Sequence, residues 1–214
     1  MTRLASRDPV TLIGGAPLDR DDLQLALRLA PTLAAADSGA DTALAHGLVP
    51  QAVWGDFDSI SDSARAAIPA GRLHHIAEQD STDFEKCLSR IDAPLVLAVG
   101  FSGARQDHFL AALSTLARPV GPPCILIAGE DVIALCPPEL ALDLPQGCRV
   151  SLFPMGPARG RSQGLKWPIN GLDFAPQDRI GTSNESTGPL RLSIQGPMLL
   201  IVPRAQLGLL ARAL

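Results

Sequence analysis

Over its first 130 residues the chain alternates short apolar runs with stretches of helical spacing, and after that the helical spacing disappears. The apolar runs are PVTLI (9–13), TLAAA (32–36), QAVW (51–54), RLHHI (72–76), PLVLAV (94–99) and CILIA (124–128). Between them, Leu23, Ala26, Leu27 and Ala30 recur at the three-to-four-residue spacing of a helix over 20–30. Phe84, Cys87, Leu88 and Ile91 predict another over 83–91, and Phe109, Leu113 and Leu116 a third. Strands that alternate with helices read as a parallel sheet with helices on its faces. From about residue 131 the pattern becomes DVIALC, LALDL, CRVSLFPM, LRLSI and MLLIVP, broken by Pro and Gly at short intervals, with helical spacing only in the last few residues. That is an all-β rhythm. The expected fold class is α/β, an N-terminal Rossmann-like parallel sheet flanked by helices over 1–130 and a C-terminal all-β sandwich over 131–214.

Composition excludes more than it selects. A formal net charge of -4 argues against nucleic acid as the main partner, because binding a polyanion relies on many basic side chains. No apolar stretch approaches the length of a membrane span, so no membrane partner is expected. The apolar run after Arg3 and Arg7 is too short for a signal peptide, which makes the cytoplasm the expected compartment. Cys87, Cys124, Cys136 and Cys148 lack the close pairing of zinc or redox motifs and read as buried free thiols. Nearly all the positive charge is arginine, with Lys86 and Lys166 the only lysines.

The chemistry is carried by acids. In an open parallel sheet, ligands bind beyond the carboxyl ends of the strands, where loops and helix N-termini converge. Asp37 follows the second run, Asp56 and Asp58 follow the third, Asp80 and Asp83 the fourth, and Asp107 the fifth. Any one of them alone reads as a helix cap or a first-turn acid, and Thr82 with Glu85 forms the capping-box pattern. Together they would make one self-repelling rim unless cations bound there, and an all-oxygen set suits Mg²⁺. Arg105 adds a permanent positive charge beside Asp107, as a phosphate-contacting group would. Phosphoryl chemistry follows as the natural class, yet there is neither a G-x-x-x-x-G-K-[ST] loop nor a G-x-G-x-x-G fingerprint. A nucleotide would then be held through metal and helix N-termini.

Seven segments, taken in order, resemble the thiamine pyrophosphokinase family: AADSGAD (35–41), WGDFDS (54–59), QDSTDFEKCL (79–88), GFSGARQDH (100–108), VSLFPMG (150–156), GLKWPI (164–169) and GTSNE (181–185). The resemblance implies ATP-dependent transfer of a pyrophosphoryl group to the hydroxyethyl oxygen of thiamine, giving thiamine diphosphate and AMP. It implies a homodimer with active sites between subunits. It also implies that Asp37, Asp56, Asp58 and Asp83 hold Mg²⁺ or position the thiamine hydroxyl, with Asp56, Asp58, Asp83 and Arg105 carrying the transfer. Gln79, Thr82, Arg105 and Asp107 match positions around the phosphates and ribose, with Asp80 on the same rim. Trp167 matches the tryptophan that stacks on the thiamine rings, and Ser183 and Asn184 would hydrogen-bond the aminopyrimidine.

Two positions depart from the pattern. Ala104 stands where a glycine is frequent, which stiffens the loop beside the phosphates, and Ser81 stands where lysine or another polar residue is common. Taken by itself, TSNE reads as a polar turn, His74 and His75 as strand residues without a role, and Lys86 as the partner of a local ion pair with Asp83 worth only ~0.3 kcal/mol. Two other readings use the same residues. One is a Mg²⁺-dependent phosphoesterase or nucleotide-sugar transferase built on the D-x-D of Asp56 and Asp58; the other is a sensor that binds thiamine diphosphate or a nucleotide without turnover.

Overall fold

The computed structural model describes residues 3–214; Met1 and Thr2, which open the N-terminal stretch, lie outside the described residues. The chain is a mixed α/β protein that divides into two compact units, Met1–Gly129 and Glu130–Leu214. No helix among the described residues is long and apolar enough to cross a membrane.

In chain order, the first unit begins with β1 (Leu4–Ala5), β2 (Val10–Ile13), α1 (Arg20–Leu29), β3 (Thr32–Ala36) and α2 (Gly39–Ala45). It continues through β4 (Ala52–Gly55), α3 (Asp62–Ala67), β5 (Leu73–His75) and α4 (Asp83–Leu88). Then follow β6 (Ile91–Asp92), β7 (Val96–Val99), α5 (Gln106–Leu116) and β8 (Cys124–Ala128). Six strands pair in the order β8-β7-β2-β3-β4-β5, and every pairing within that set is parallel. β2, β3, β4 and β7 are buried at every position, which is why they read as unbroken apolar runs instead of alternating. Fully burying a Leu12 or Ile13 side chain contributes about 1.5–3 kcal/mol each, so the central strands anchor this unit.

The helices follow from caps and spacing. The Asp19 carboxylate accepts from the Asp21 N–H (2.9 Å) at the start of α1, Ser61 caps α3, and the Thr82 hydroxyl caps α4 through the Glu85 N–H (3.3 Å). α4 is shorter than its spacing predicts. It ends at Leu88, and Ile91 instead enters β6, which pairs with β1 in parallel. α2 was not legible in the pattern, because its GADTALA is made of small residues that bring it close to the sheet. A Cβ on Gly39 would stand 2.2 Å from the Ile13 carbonyl oxygen, so only glycine lets α2 sit on β2.

The second unit contains β9 (Asp131–Leu135), β10 (Glu139–Leu142), β11 (Arg149–Pro154) and β12 (Ala158–Leu165). It ends with β13 (Asp173–Phe174), β14 (Gly181–Gln195), β15 (Met198–Pro203) and α6 (Leu207–Ala213). All of its pairings are antiparallel, in the order β13-β12-β14-β11-β15-β9, with β10 also on β14. β12 was invisible in the sequence, since ARGRSQGL buries only Ala158, Ser162 and Leu165. The 15-residue β14 pairs with β11 over Gly181–Glu185, with β10 over Leu190–Ser193, and with β12 at Ser186 and over Arg191–Gln195. The TSNE segment is therefore strand, not turn. It carries an irregularity: the register shifts between Val150 and Leu152 opposite it, and Ser183 adopts φ 60°.

Candidate active site

β2 sits between β3 and β7, and the chain steps from β2 outward through β3, β4 and β5 before returning to β7 on the other side. A crevice opens at such a reversal, beyond the carboxyl ends of the strands. Its floor is glycine: a Cβ on Gly14 would stand 2.4 Å from the Gly100 carbonyl oxygen, and one on Gly15 would stand 2.2 Å from Ser38 Oγ. A cleft of about 550 Å³ lies there, lined by Gly15, Ala16, Gly100 and Phe101. Asp37, Asp56, Asp58 and Asp83 also line it, as do Gln79, Thr82, Lys86 and Arg105. Asp80 and Asp107 are exposed and outside that lining.

Three of the acids converge. Asp37, Asp56 and Asp58 each offer a carboxylate oxygen, and these oxygens lie within 4.8 Å of one another. Asp37 leaves the end of β3 with φ 43°, and Phe57 between the other two has φ 62°; left-handed backbone in non-glycine residues costs about 1–3 kcal/mol and concentrates at functional sites. Gly55 permits the approach, because a Cβ there would lie 2.8 Å from Asp37 Cβ. Asp37 is 4% exposed. Its Oδ2 accepts from the Ser59 N–H (3.2 Å), while Oδ1 is one of two buried side-chain polar atoms without a hydrogen-bond partner among the described residues. Burial, with the negative charge of Asp83 added, raises the Asp37 carboxyl above its ordinary range. A buried carboxylate with one orphaned oxygen, belonging to an all-oxygen cluster, fits Mg²⁺, a hard cation that takes oxygen ligands.

Neighbours order the rest. Asp56 Oδ1 accepts from the Asp58 N–H (3.3 Å), and its Oδ2 accepts from Gln79 Nε2 (2.9 Å), the first cause of a carboxyl held below its usual value. Asp58 Oδ1 accepts from Ser59 Oγ (2.7 Å). Asp83 opens α4 and is raised by burial, an effect that Lys86 opposes. Lys86 forms the expected pair with Asp83, but its burial and its second partner, Asp56, were not foreseen. Its side chain is 2% exposed, with Nζ 3.3 Å from Asp83 Oδ1 and 3.9 Å from Asp56 Oδ2. This is a buried cation serving one carboxylate on its own helix and one from the loop after β4, so the small value of a surface helical pair does not apply. Arg105 and Asp107 form an exposed two-point pair at 3.1 and 2.6 Å, which holds the Asp107 carboxyl down at about 2.

The remaining expected residues lie in the second unit. Trp167, in the loop after β12, is 56% exposed. Lys166 Nζ stands 4.9 Å from the centroid of its ring and 3.2 Å from Glu185 Oε2. Asn184 holds Trp167: Nδ2 donates to the Trp167 carbonyl (2.7 Å) and Oδ1 accepts from the Trp167 N–H (3.2 Å). The Ser183 N–H donates to Ser151 Oγ (3.0 Å). The four cysteines are free and buried, as their spacing suggested.

Comparison with known proteins adds independent observations. Residues 23–126 match the family described as "Thiamin pyrophosphokinase, catalytic domain", and residues 139–199 match "Thiamin pyrophosphokinase, vitamin B1 binding domain". The chain is 30% identical over 161 residues to the thiamine pyrophosphokinase of Bacillus subtilis (strain 168), a match covering 70% of this chain and 75% of that protein. Among solved structures, its fold is similar to thiamin pyrophosphokinase from Candida albicans, with TM-score 0.77, 15% identity, and 94% and 93% of the two chains covered. It is also similar in fold to thiamine pyrophosphokinase from Bacillus subtilis, with TM-score 0.73, 24% identity, and 92% and 98% covered.

Proposed function

The chain belongs to the thiamine pyrophosphokinase family, and from that premise we propose that it transfers the pyrophosphoryl group of ATP to the hydroxyethyl oxygen of thiamine, releasing AMP. The observation that carries this reading is the convergence of the Asp37, Asp56 and Asp58 carboxylates, one with a buried unpartnered oxygen, beside the switch-point crevice. Asp37, Asp56, Asp58 and Asp83 would hold Mg²⁺. When bound, that ion supplies neutralisation of the triphosphate charge, the main demand of phosphoryl transfer.

The chain's own residues do the rest in this reading. Gln79 fixes one oxygen of Asp56, so its other oxygen keeps a set direction. Lys86 limits repulsion between Asp56 and Asp83 while they await a cation. Arg105, exposed and paired with exposed Asp107, can exchange that carboxylate for a phosphate oxygen. The glycines at 14, 15 and 100 let a triphosphate lie against backbone. Thr82 stays with its capping bond and sets the start of α4, from which Asp83 and Lys86 project. Asp80 and Asp107 act from the rim.

The finer architecture belongs to the same reading: a Rossmann-like nucleotide half over 1–130 and a β-sandwich over 131–214 that binds thiamine on Trp167. So do assembly as a homodimer with active sites between subunits, and residence in the cytoplasm. A flat cationic thiazolium is attracted to an indole face by about 1–2 kcal/mol when desolvated, which suits the exposed ring of Trp167. Incubation with ATP, Mg²⁺ and thiamine tests the reaction: AMP should appear in step with thiamine diphosphate. Release of ADP or free phosphate would instead favour the phosphoesterase or transferase reading, and binding without products would favour the sensor.

A further inference from the structure

We propose that Asn184 is a positioning residue whose side-chain amide clamps the backbone of Trp167 and so fixes the exposed indole as a platform for a flat cationic ring. The inference rests on the reading of Trp167 as the thiamine-stacking residue. A ring 56% exposed, in a loop that follows a strand of few apolar contacts, has little packing to orient it. Its backbone is held instead. Asn184 donates from Nδ2 to the Trp167 carbonyl at 2.7 Å and accepts the Trp167 N–H at Oδ1 at 3.2 Å. The same oxygen accepts the Glu185 N–H at 2.8 Å.

Counting groups shows where the amide is committed. A carboxamide oxygen has two lone pairs and its nitrogen two hydrogens. Both lone pairs are taken and one hydrogen is used, all by main chain, and Asn184 is 9% exposed. That leaves a single N–H, which is a poor basis for recognising an aminopyrimidine edge. The local backbone is shaped for the clamp. Ser183 takes φ 60°, its N–H is held by Ser151 Oγ at 3.0 Å, and the β11–β14 register slips beside it. The slip brings the Asn184 side chain to the segment that follows β12, where the Lys166 N–H also donates to the Glu185 carbonyl at 2.9 Å. The segments GLKW and TSNE are thus stitched together by three bonds to the main chain of Lys166 and Trp167, with the Lys166–Glu185 side-chain bond as a fourth.

The test is a double-mutant cycle in the full chain, read as KM for thiamine and for ATP, together with time-resolved fluorescence anisotropy. The second tryptophan, Trp54, is 1% exposed and rigidly packed, so a new fast depolarisation reports Trp167. Asn184→Ala is expected to raise the thiamine KM about 5- to 20-fold with the ATP KM unchanged, as loss of roughly 1–1.8 kcal/mol would. It should also increase the fast depolarisation, and Asn184→Ala/Trp167→Ala should bind thiamine no more weakly than Trp167→Ala alone. Losses that multiply in the double variant would overturn the proposal, because they would mean that Asn184 meets the ligand directly. Unchanged depolarisation would overturn the clamp. If Trp167→Ala itself left the thiamine KM unchanged while Asn184→Ala loosened the ring, the clamp would stand and the stacking reading would fall. Should Asn184→Ala not fold, Asn184→Asp, which keeps the acceptor of the Trp167 N–H but sets a charged oxygen in place of the donor against the Trp167 carbonyl, must loosen the ring as well.

Discussion

Lys86 Nζ lies 3.3 Å from the Asp83 carboxylate and 3.9 Å from that of Asp56, with the lysine side chain 2% exposed. A buried ammonium is costly unless paired, and here it is paired on two sides. Removing it would leave the Asp56 and Asp83 carboxylates uncompensated beside a third, Asp37.

Lys86→Met should therefore destabilise the metal-free protein. Breaking a fully buried pair costs about 3–5 kcal/mol, and because Asp83 remains 35% exposed we expect about 1–3 kcal/mol. The same change should increase the stabilisation gained from added Mg²⁺, since a more negative cluster draws a cation more strongly. Urea unfolding of both proteins with and without Mg²⁺ measures both effects; an Mg²⁺ increment no larger than the parent's would show that Lys86 does not neutralise the cluster.

Asp37→Asn should trade activity for stability. Asp37 is buried, its carboxyl is pushed up by burial and by Asp83, and its Oδ1 has no hydrogen-bond partner among the described residues, so ionising it without a bound cation is unfavourable. An amide of the same shape can keep its oxygen on the Ser59 N–H and turn its NH₂ toward the neighbouring carboxylates. Thermal melts without metal are expected to rise by a few degrees, while turnover falls at least 100-fold. A variant that melts lower than the parent would show that Asp37 stabilises the fold as an anion.

Lys166→Met should tighten thiamine binding. The Lys166 ammonium already covers the Trp167 ring at 4.9 Å and is held there by Glu185 at 3.2 Å. A thiazolium must displace it or endure its charge, and removing it also frees Glu185 to attract a cation. Exposure of all three groups limits the gain to about 2- to 5-fold in thiamine KM, within the range of about 0.5–1 kcal/mol for an exposed cation–π contact. A weakened KM would instead assign Lys166 a favourable contact with the bound substrate.

How much of this was legible in the sequence depended on whether the deciding physics is local. TLAAA coincides with β3 because a parallel central strand is buried throughout and announces itself as an apolar run, and CILIA coincides with β8, buried at four of its five positions. The acids were legible as a group because each follows a strand, and parallel strands in register deliver their ends to one rim. β12 was not, since three buried side chains in eight carry no pattern, and neither was the burial of Lys86, which depends on Asp56 in a loop 30 residues away. The glycine floor at 14, 15 and 100 was half visible: GG marked the end of a strand, but what each Cβ would strike is a tertiary fact. The commitment of Asn184 to Trp167 likewise depends on a slip in register that no spacing rule records.

His74 supplies a pH dependence that lies apart from the acidic cleft. Its ring packs on Trp54 with centroids 5.7 Å apart, and burial lowers its pKa below the ordinary 6.5. A lowered folded-state pKa means that the unfolded chain takes up the proton first. His74 thus contributes stability that is fully present above about 6.5 and is lost as the pH falls from there through the folded value. Asp37 and Asp83, raised in the fold, work in the opposite sense, gaining relative stability on acidification. Comparing parent with His74→Phe cancels those shared terms and isolates the histidine. The difference in unfolding free energy should be constant from pH 8 to about 7 and should shift in favour of His74→Phe below about 6.5. Denaturant unfolding at half-unit steps of pH measures it. Parallel profiles through that window would mean that His74 keeps its solution pKa in the fold.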